Sequence, residues 1–123
     1  MIVLDTSVII DLVMGKIREN EILDIFENEA CAISSISINE LLVCANEKQF
    51  TILSEFFKSL HVLPFDSEAA YKSVEIEKNL IKKGKIIGKL DIFISSTCLV
   101  HNLSLLTFDK DFKNVDGLKL VCA

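Results

Sequence analysis

The carboxylates that could do chemistry in this chain stand where apolar runs stop or restart. Asp5 ends the run Met1-Ile-Val-Leu4, Glu40 follows the run Ala30-Cys-Ala-Ile33 by one short polar stretch, and Asp91 opens a long apolar segment. Asp109 follows Leu103-Ser-Leu-Leu106, with Asp111 two residues further on. The two histidines, His61 and His101, flank strand segments, and both read as structural or surface residues. Grouped carboxylates repel one another unless a cation joins them, and an all-oxygen donor set suits a hard ion, Mg²⁺ or Mn²⁺, better than zinc. Such a site lowers the pKa of a bound water, orients it and stabilises in-line displacement at phosphorus. Phosphodiester hydrolysis is the chemistry it fits best.

The elements that must deliver these acids follow from the apolar pattern. Residues 1–4 read as a strand buried on both faces, and Thr6-Ser7 turns the chain into a short helix carrying Val8, Ile9 and Leu12. A turn at Gly15-Lys16 leads to a helix over 21–26 and a strand over 30–33. Ser35 or Ser37 can cap the next helix, whose apolar face holds Leu41, Leu42 and Ala45; Ser37 and Glu40 have capping-box spacing. Asn46-Glu47-Lys48 is a polar break before an amphipathic helix carrying Ile52, Leu53, Phe56, Phe57 and Leu60. Residues 61–65 are extended, with Pro64 marking a sheet edge or strand end. Asp66 or Ser67 caps a long helix that stops at Gly84, a C-cap glycine. A buried helix over 90–100, a strand over 103–106, a loop over 107–112 and a strand over 118–122 complete the chain, and Phe112 is expected to pack in the core.

Strands alternating with helices predict an α/β fold with a parallel, doubly wound sheet and right-handed crossovers. Crossover helices begin beside the carboxyl ends of the strands, which is where ligands bind in such sheets. Asp5, Glu40, Asp91 and Asp109 all arrive at that edge, and strand one lying between strands two and four would bring them together. Helix N-termini also favour acids through the macrodipole, and loops favour aspartate, so each position taken alone has a purely structural reading as well.

Composition sets the bounds. The 123 residues are 50% hydrophobic, enough for one core, so residues 1–123 read as a single domain. No run reaches the roughly 18 apolar residues of a membrane span, and the N-terminus lacks the pattern of a signal peptide, so a soluble cytoplasmic protein with no membrane association is expected. The net charge of −5 argues against holding nucleic acid by bulk electrostatics, although divalent ions among clustered acids would invert the local field. Lys78, Lys82, Lys83, Lys85 and Lys89 form the one basic stretch. Lys85 and Lys89 lie close enough to Asp91 in sequence to meet the phosphates of a phosphodiester substrate, unless the stretch is simply a solvated helix end. Cys31, Cys44, Cys98 and Cys122 form no CxxC pair and lie in apolar segments, as buried reduced thiols do.

Four stretches together carry a family resemblance: Asp5-Thr-Ser-Val-Ile-Ile10, Ser34-Ser-Ile-Ser-Ile-Asn-Glu-Leu41, Gly88-Lys-Leu-Asp91 with its apolar helix, and Thr107-Phe-Asp-Lys-Asp-Phe112. In order and interval they resemble the successive motifs of PIN domains, most closely the VapC-like ribonuclease toxins of prokaryotic toxin-antitoxin pairs. The resemblance spans essentially the whole chain. It implies a three-layer α/β/α sandwich with a central parallel sheet of four to five strands, Mg²⁺- or Mn²⁺-dependent cleavage of RNA, homodimerisation and a separate antitoxin partner. It also implies that Asp5, Glu40, Asp91 and Asp109 form an acidic catalytic quartet, with Asp5, Asp91 and Asp109 on the metal and Ser7 and Thr107 as supporting hydroxyls. One motif departs from the family pattern: only Lys110 separates Asp109 from Asp111 where two residues are usual, so either carboxylate can be the fourth acid.

Two other functions compete. An aspartate-based phosphotransfer protein would also place an Asp at the end of strand one, but the phosphatase pattern wants a second Asp where Ser7 stands. A catalytically silent RNA- or protein-binding module would keep the fold and use the acids as caps.

Overall fold

Val3 and Leu4 are completely buried, and the sheet shows why the opening run is apolar on both sides. The computed structural model describes residues 1–17 and 20–121. In it β1 (Ile2–Leu4) pairs in parallel with β2 (Cys31–Ser34) on one side and β4 (Ser104–Leu106) on the other. β3 (His61–Leu63) and β5 (Leu120–Val121) are the edges, giving the order β3-β2-β1-β4-β5, all parallel among the described residues. In the register of the central strands, Val3 stands opposite Ala32 and Leu105, and Leu4 opposite Leu106. Strand one is therefore central, as the sequence predicts.

The connections are α1 (Thr6–Val13), α2 (Asn20–Asn28), α3 (Ser35–Val43), α4 (Glu47–Phe57), α5 (Ser67–Lys83) and α6 (Lys89–Val100). Alternation along the strands sorts the core into two layers. Leu4, Ile33 and Leu106 pack with Val8 and Ile9 of α1, Ile22 of α2, Leu41 of α3, and Leu53 and Phe57 of α4. Val3, Ala32 and Leu105 face the other way, toward Ile94 and Cys98 of α6, and Ile76 and Leu80 of α5 pack on Ile92 outside them. This is the three-layer α/β/α sandwich. Each wholly buried Leu or Ile contributes about 1.5–3 kcal/mol by leaving water, which holds the strand ends rigidly in place. Among the described residues no helix is long and apolar enough to cross a membrane.

Local chemistry moves several boundaries. Ser34, the last residue of β2, caps α3 by accepting from the backbone N–H of Ile36 at 3.2 Å, so neither Ser35 nor Ser37 is the cap. Ser35 Oγ instead accepts from the backbone N–H of Phe65 at 3.0 Å, fastening the end of the edge strand. The capping box belongs to Asn46 and Gln49 of α4, at the stretch that reads as a polar break. Asp66 caps α5, and Gly84 ends it with φ 67°, a left-handed turn that glycine takes without strain. The expected loop after β4 contains a 3-10 helix (Lys110–Asn114), pinned to the core by the buried Phe112. Cys31 and Cys98 are buried, but Cys44 is exposed because α3 ends there and turns its last residues outward. Cys122 and the end of its predicted strand lie outside the described residues.

Candidate active site

Asp5 is the fixed point of the acidic edge. It is only 4% exposed, in extended backbone (φ −74°, ψ 156°) between β1 and α1. Although it is the N-cap residue of α1, its side chain makes no capping bond. Two hydroxyls converge on Oδ2: Thr107 Oγ1 donates at 2.7 Å and Ser7 Oγ at 3.0 Å. Both supporting hydroxyls named from the sequence therefore touch Asp5. Thr107 Oγ1 also accepts from the backbone N–H of Asp109 at 3.0 Å, so one threonine links the first acid to the last acidic loop.

Glu40 lies in the second turn of α3, half-buried. Thr6 Oγ1, at the start of α1, donates to Glu40 Oε1 at 2.9 Å, and Ser37 Oγ lies 3.4 Å from the same hydroxyl. Neither Thr6 nor this use of Ser37 follows from sequence patterns; the only hint is that Ser37 and Glu40, three apart, share a helix face. Asp91 sits in the first turn of α6, half-buried. Its carboxyl is pushed up to about 6, first by burial and then by repulsion from Asp5, Glu40, Asp109 and Asp111, in that order. The other three predicted acids, and Asp111 with them, thus all act on Asp91 at the carboxyl edge.

Asp109 and Asp111 differ in placement. Asp109 is half-buried, and its Oδ1 accepts from the backbone N–H of Asp111 at 2.9 Å, capping the 3-10 helix. Asp111 is exposed and weighs least on Asp91. Lys89, beside Asp91 in sequence, turns to Glu77 of α5, with Nζ 2.8 Å from both carboxylate oxygens. Lys85 is exposed on the segment before α6.

The acids are therefore gathered around Asp91, yet the nearest lysine in sequence spends its charge on Glu77. Among the described residues no three His, Cys, Asp or Glu side chains already stand as a finished ligand shell. What the site does have is a carboxylate made reluctant to ionise by burial and then by its acidic neighbours, whose repulsion an oxygen-seeking cation would relieve. The donor set, all carboxylate and hydroxyl oxygen, fits a hard divalent ion. Beside it, an apolar cavity of about 460 Å³ runs between α1, α3 and α4, lined by Ile10, Met14, Leu41 and Ile52, with Glu40 on its wall.

A central parallel sheet, helices on both faces and four acids at the carboxyl edge define a class, and comparison with known proteins agrees. Residues 2–118 match the PIN domain model, and the chain belongs to the PIN domain family. Within it, the chain is 35% identical to Ribonuclease VapC1 of Rickettsia felis, over 98% of this chain and 94% of that one. Among solved structures, DNA-bound VapBC from Salmonella typhimurium superposes with a TM-score of 0.89 at 26% identity, covering 98% of this chain and 96% of that chain. VapBC2 from Rickettsia felis, bound to a DNA fragment from its promoter, gives 0.87 at 28% identity, covering 98% of both chains. The chain is thus a VapC-like member of the family.

Proposed function

We infer that this chain is an endoribonuclease that hydrolyses RNA phosphodiester bonds with the help of Mg²⁺ or Mn²⁺, and that it is the toxin of a toxin-antitoxin pair. The observation that carries the reading is the half-buried Asp91 at one sheet edge, pushed up to about 6 by burial first and then by the charges of Asp5, Glu40 and Asp109. Membership of a family with ribonuclease relatives gives it direction.

Asp5, Asp91 and Asp109 would hold the ion. Asp109 is preferred to Asp111 as the fourth acid because it is the less exposed, is tied through Thr107 to Asp5 and acts more strongly on Asp91. Bound there, a divalent ion would acidify a water and offset negative charge at the phosphorus centre. Asp5 enters already oriented by Thr107 and Ser7, so little of its freedom remains to be lost. Glu40, held at Oε1 by Thr6, keeps a carboxylate oxygen with which to orient the attacking water or share a second ion. Lys85 is the basic group placed to meet a backbone phosphate, whereas Lys89 steadies the start of α6 through Glu77.

A cognate antitoxin is the partner, a reading supported by the likeness to solved VapBC proteins, and the working form in this reading is a homodimer in the cytoplasm. The test is cleavage of a structured RNA by purified protein in Mn²⁺ and in EDTA, beside Asp5→Asn prepared identically. Cleavage that needs the metal and disappears in the variant is expected; equal cleavage by both proteins would put the activity elsewhere.

A further inference from the structure

Thr6 has a task that its place in the helix does not explain. It is the first residue of α1, where a β-branched side chain gains little for the helix, and its hydroxyl serves no cap. It crosses instead to another helix and donates to Glu40 Oε1 at 2.9 Å. Ser37, wholly buried and one turn before Glu40 on α3, stands 3.4 Å from that hydroxyl.

Glu40 needs such a hold. A glutamate has three rotatable side-chain bonds, and the charge of this one acts on Asp91, on which the charges of Asp5, Asp109 and Asp111 also act. Left alone, it would swing toward water and away from its like-charged neighbours. A lysine or arginine could restrain it only by neutralising it, whereas a neutral hydroxyl fixes the carboxylate and leaves its charge intact. Thr6 is itself fixed by what precedes it, because Asp5 is anchored to the central sheet through its backbone N–H on Leu106 O at 3.0 Å. Consecutive residues at one strand end thus do two jobs: Asp5 supplies a carboxylate and Thr6 directs another.

We propose that Thr6 is the positioning residue for Glu40, its hydroxyl, with Ser37 beside it, holding Oε1 so that the carboxylate keeps one direction within the acidic site. The proposal rests on the ribonuclease reading for its consequence in catalysis, but the Thr6–Glu40 bond can be tested without it.

The experiment combines Thr6→Ala, Thr6→Val, Thr6→Ser and Glu40→Ala. In the metal-free protein, urea unfolding of Thr6→Ala, Glu40→Ala and the double variant forms a cycle. Non-additive shifts in stability are expected, and strictly additive ones would overturn the proposal. In Mn²⁺-supported RNA cleavage, Thr6→Val and Thr6→Ala should lower kcat about 10- to 100-fold with KM little changed. Thr6→Ser should return most of the rate, and Thr6→Ala should cost nothing further in the Glu40→Ala background. A folded Thr6→Ala with full kcat, or an equal further loss without Glu40, overturns the positioning role. If the wild-type protein cleaves no RNA, the ribonuclease reading is what fails, and the unfolding cycle alone decides whether Thr6 holds Glu40.

Discussion

Thr107 Oγ1 donates to Asp5 Oδ2 at 2.7 Å, joining the ends of neighbouring strands across 102 residues of sequence. The bond is buried, and Asp5 is a charged acceptor with almost no access to water. Removing a donor from such a group exposes its desolvation cost. Thr107→Val should therefore destabilise the metal-free protein by about 1–3 kcal/mol, more than Ser7→Ala, because Ser7 gives the longer and less buried of the two bonds to the same oxygen. Urea unfolding of both variants measures this, and a Thr107→Val protein as stable as wild type would mean that the hydroxyl is dispensable to Asp5.

Asp91 predicts a pH dependence of defined sign. Its carboxyl ionises near 3.8 in the unfolded chain and near 6 in the metal-free fold. Between those values the folded state keeps a proton that the unfolded state has lost. Stability from this group is therefore full below about pH 4, declines as pH rises to about 6 and is flat above. Asp91 is only half-buried, so water screens part of the effect. In EDTA, the melting temperature of Asp91→Asn relative to wild type should rise between pH 4 and pH 7. A difference that stays constant over that range would show that Asp91 is not under the acidic pressure described.

A divalent ion should reverse that pressure. Mn²⁺ that binds only the native fold must raise its stability, by about 2.7 kcal/mol at a hundred times its Kd. Asp5→Asn and Asp91→Asn should each lose most of the rise while staying folded without metal. A wild-type protein whose melting temperature ignores Mn²⁺ would match a catalytically silent module that keeps its acids as caps.

Much of this site was legible in the sequence because β/α order does the work of placement. Asp5 could be assigned to the carboxyl edge from the apolar run it ends, and Glu40, Asp91 and Asp109 from the strands and helices next to them. The strand order then brought them together as expected. What stayed hidden depends on how helices rotate against one another. Thr6 reaches Glu40 only because α1 and α3 pack side by side, and Lys89 finds Glu77 only because α5 lies on α6. The sequence offers Ser35 or Ser37 as the cap of α3, and the backbone that turns out of β2 gives the role to Ser34 instead. Burial likewise separates Asp109, half-buried, from Asp111, exposed, a difference invisible in a spacing of two.

The cysteines give a prediction independent of any activity. Burial pushes the Cys98 thiol up to about 12, with Asp5 adding to it, and burial followed by the charge of Glu29 raises Cys31. A thiol reacts as its thiolate, so both should resist alkylation while the fold is intact. Cys44, exposed where α3 ends, should react readily. Iodoacetamide labelling of the native protein, read peptide by peptide in a mass spectrometer, should mark Cys44 and leave Cys31 and Cys98 unmodified until urea is added. Labelling of Cys98 in the native state would mean that α6 opens from the sheet. Since Asp91 rides on the first turn of that helix, the acidic site would then lose its geometry along with the core.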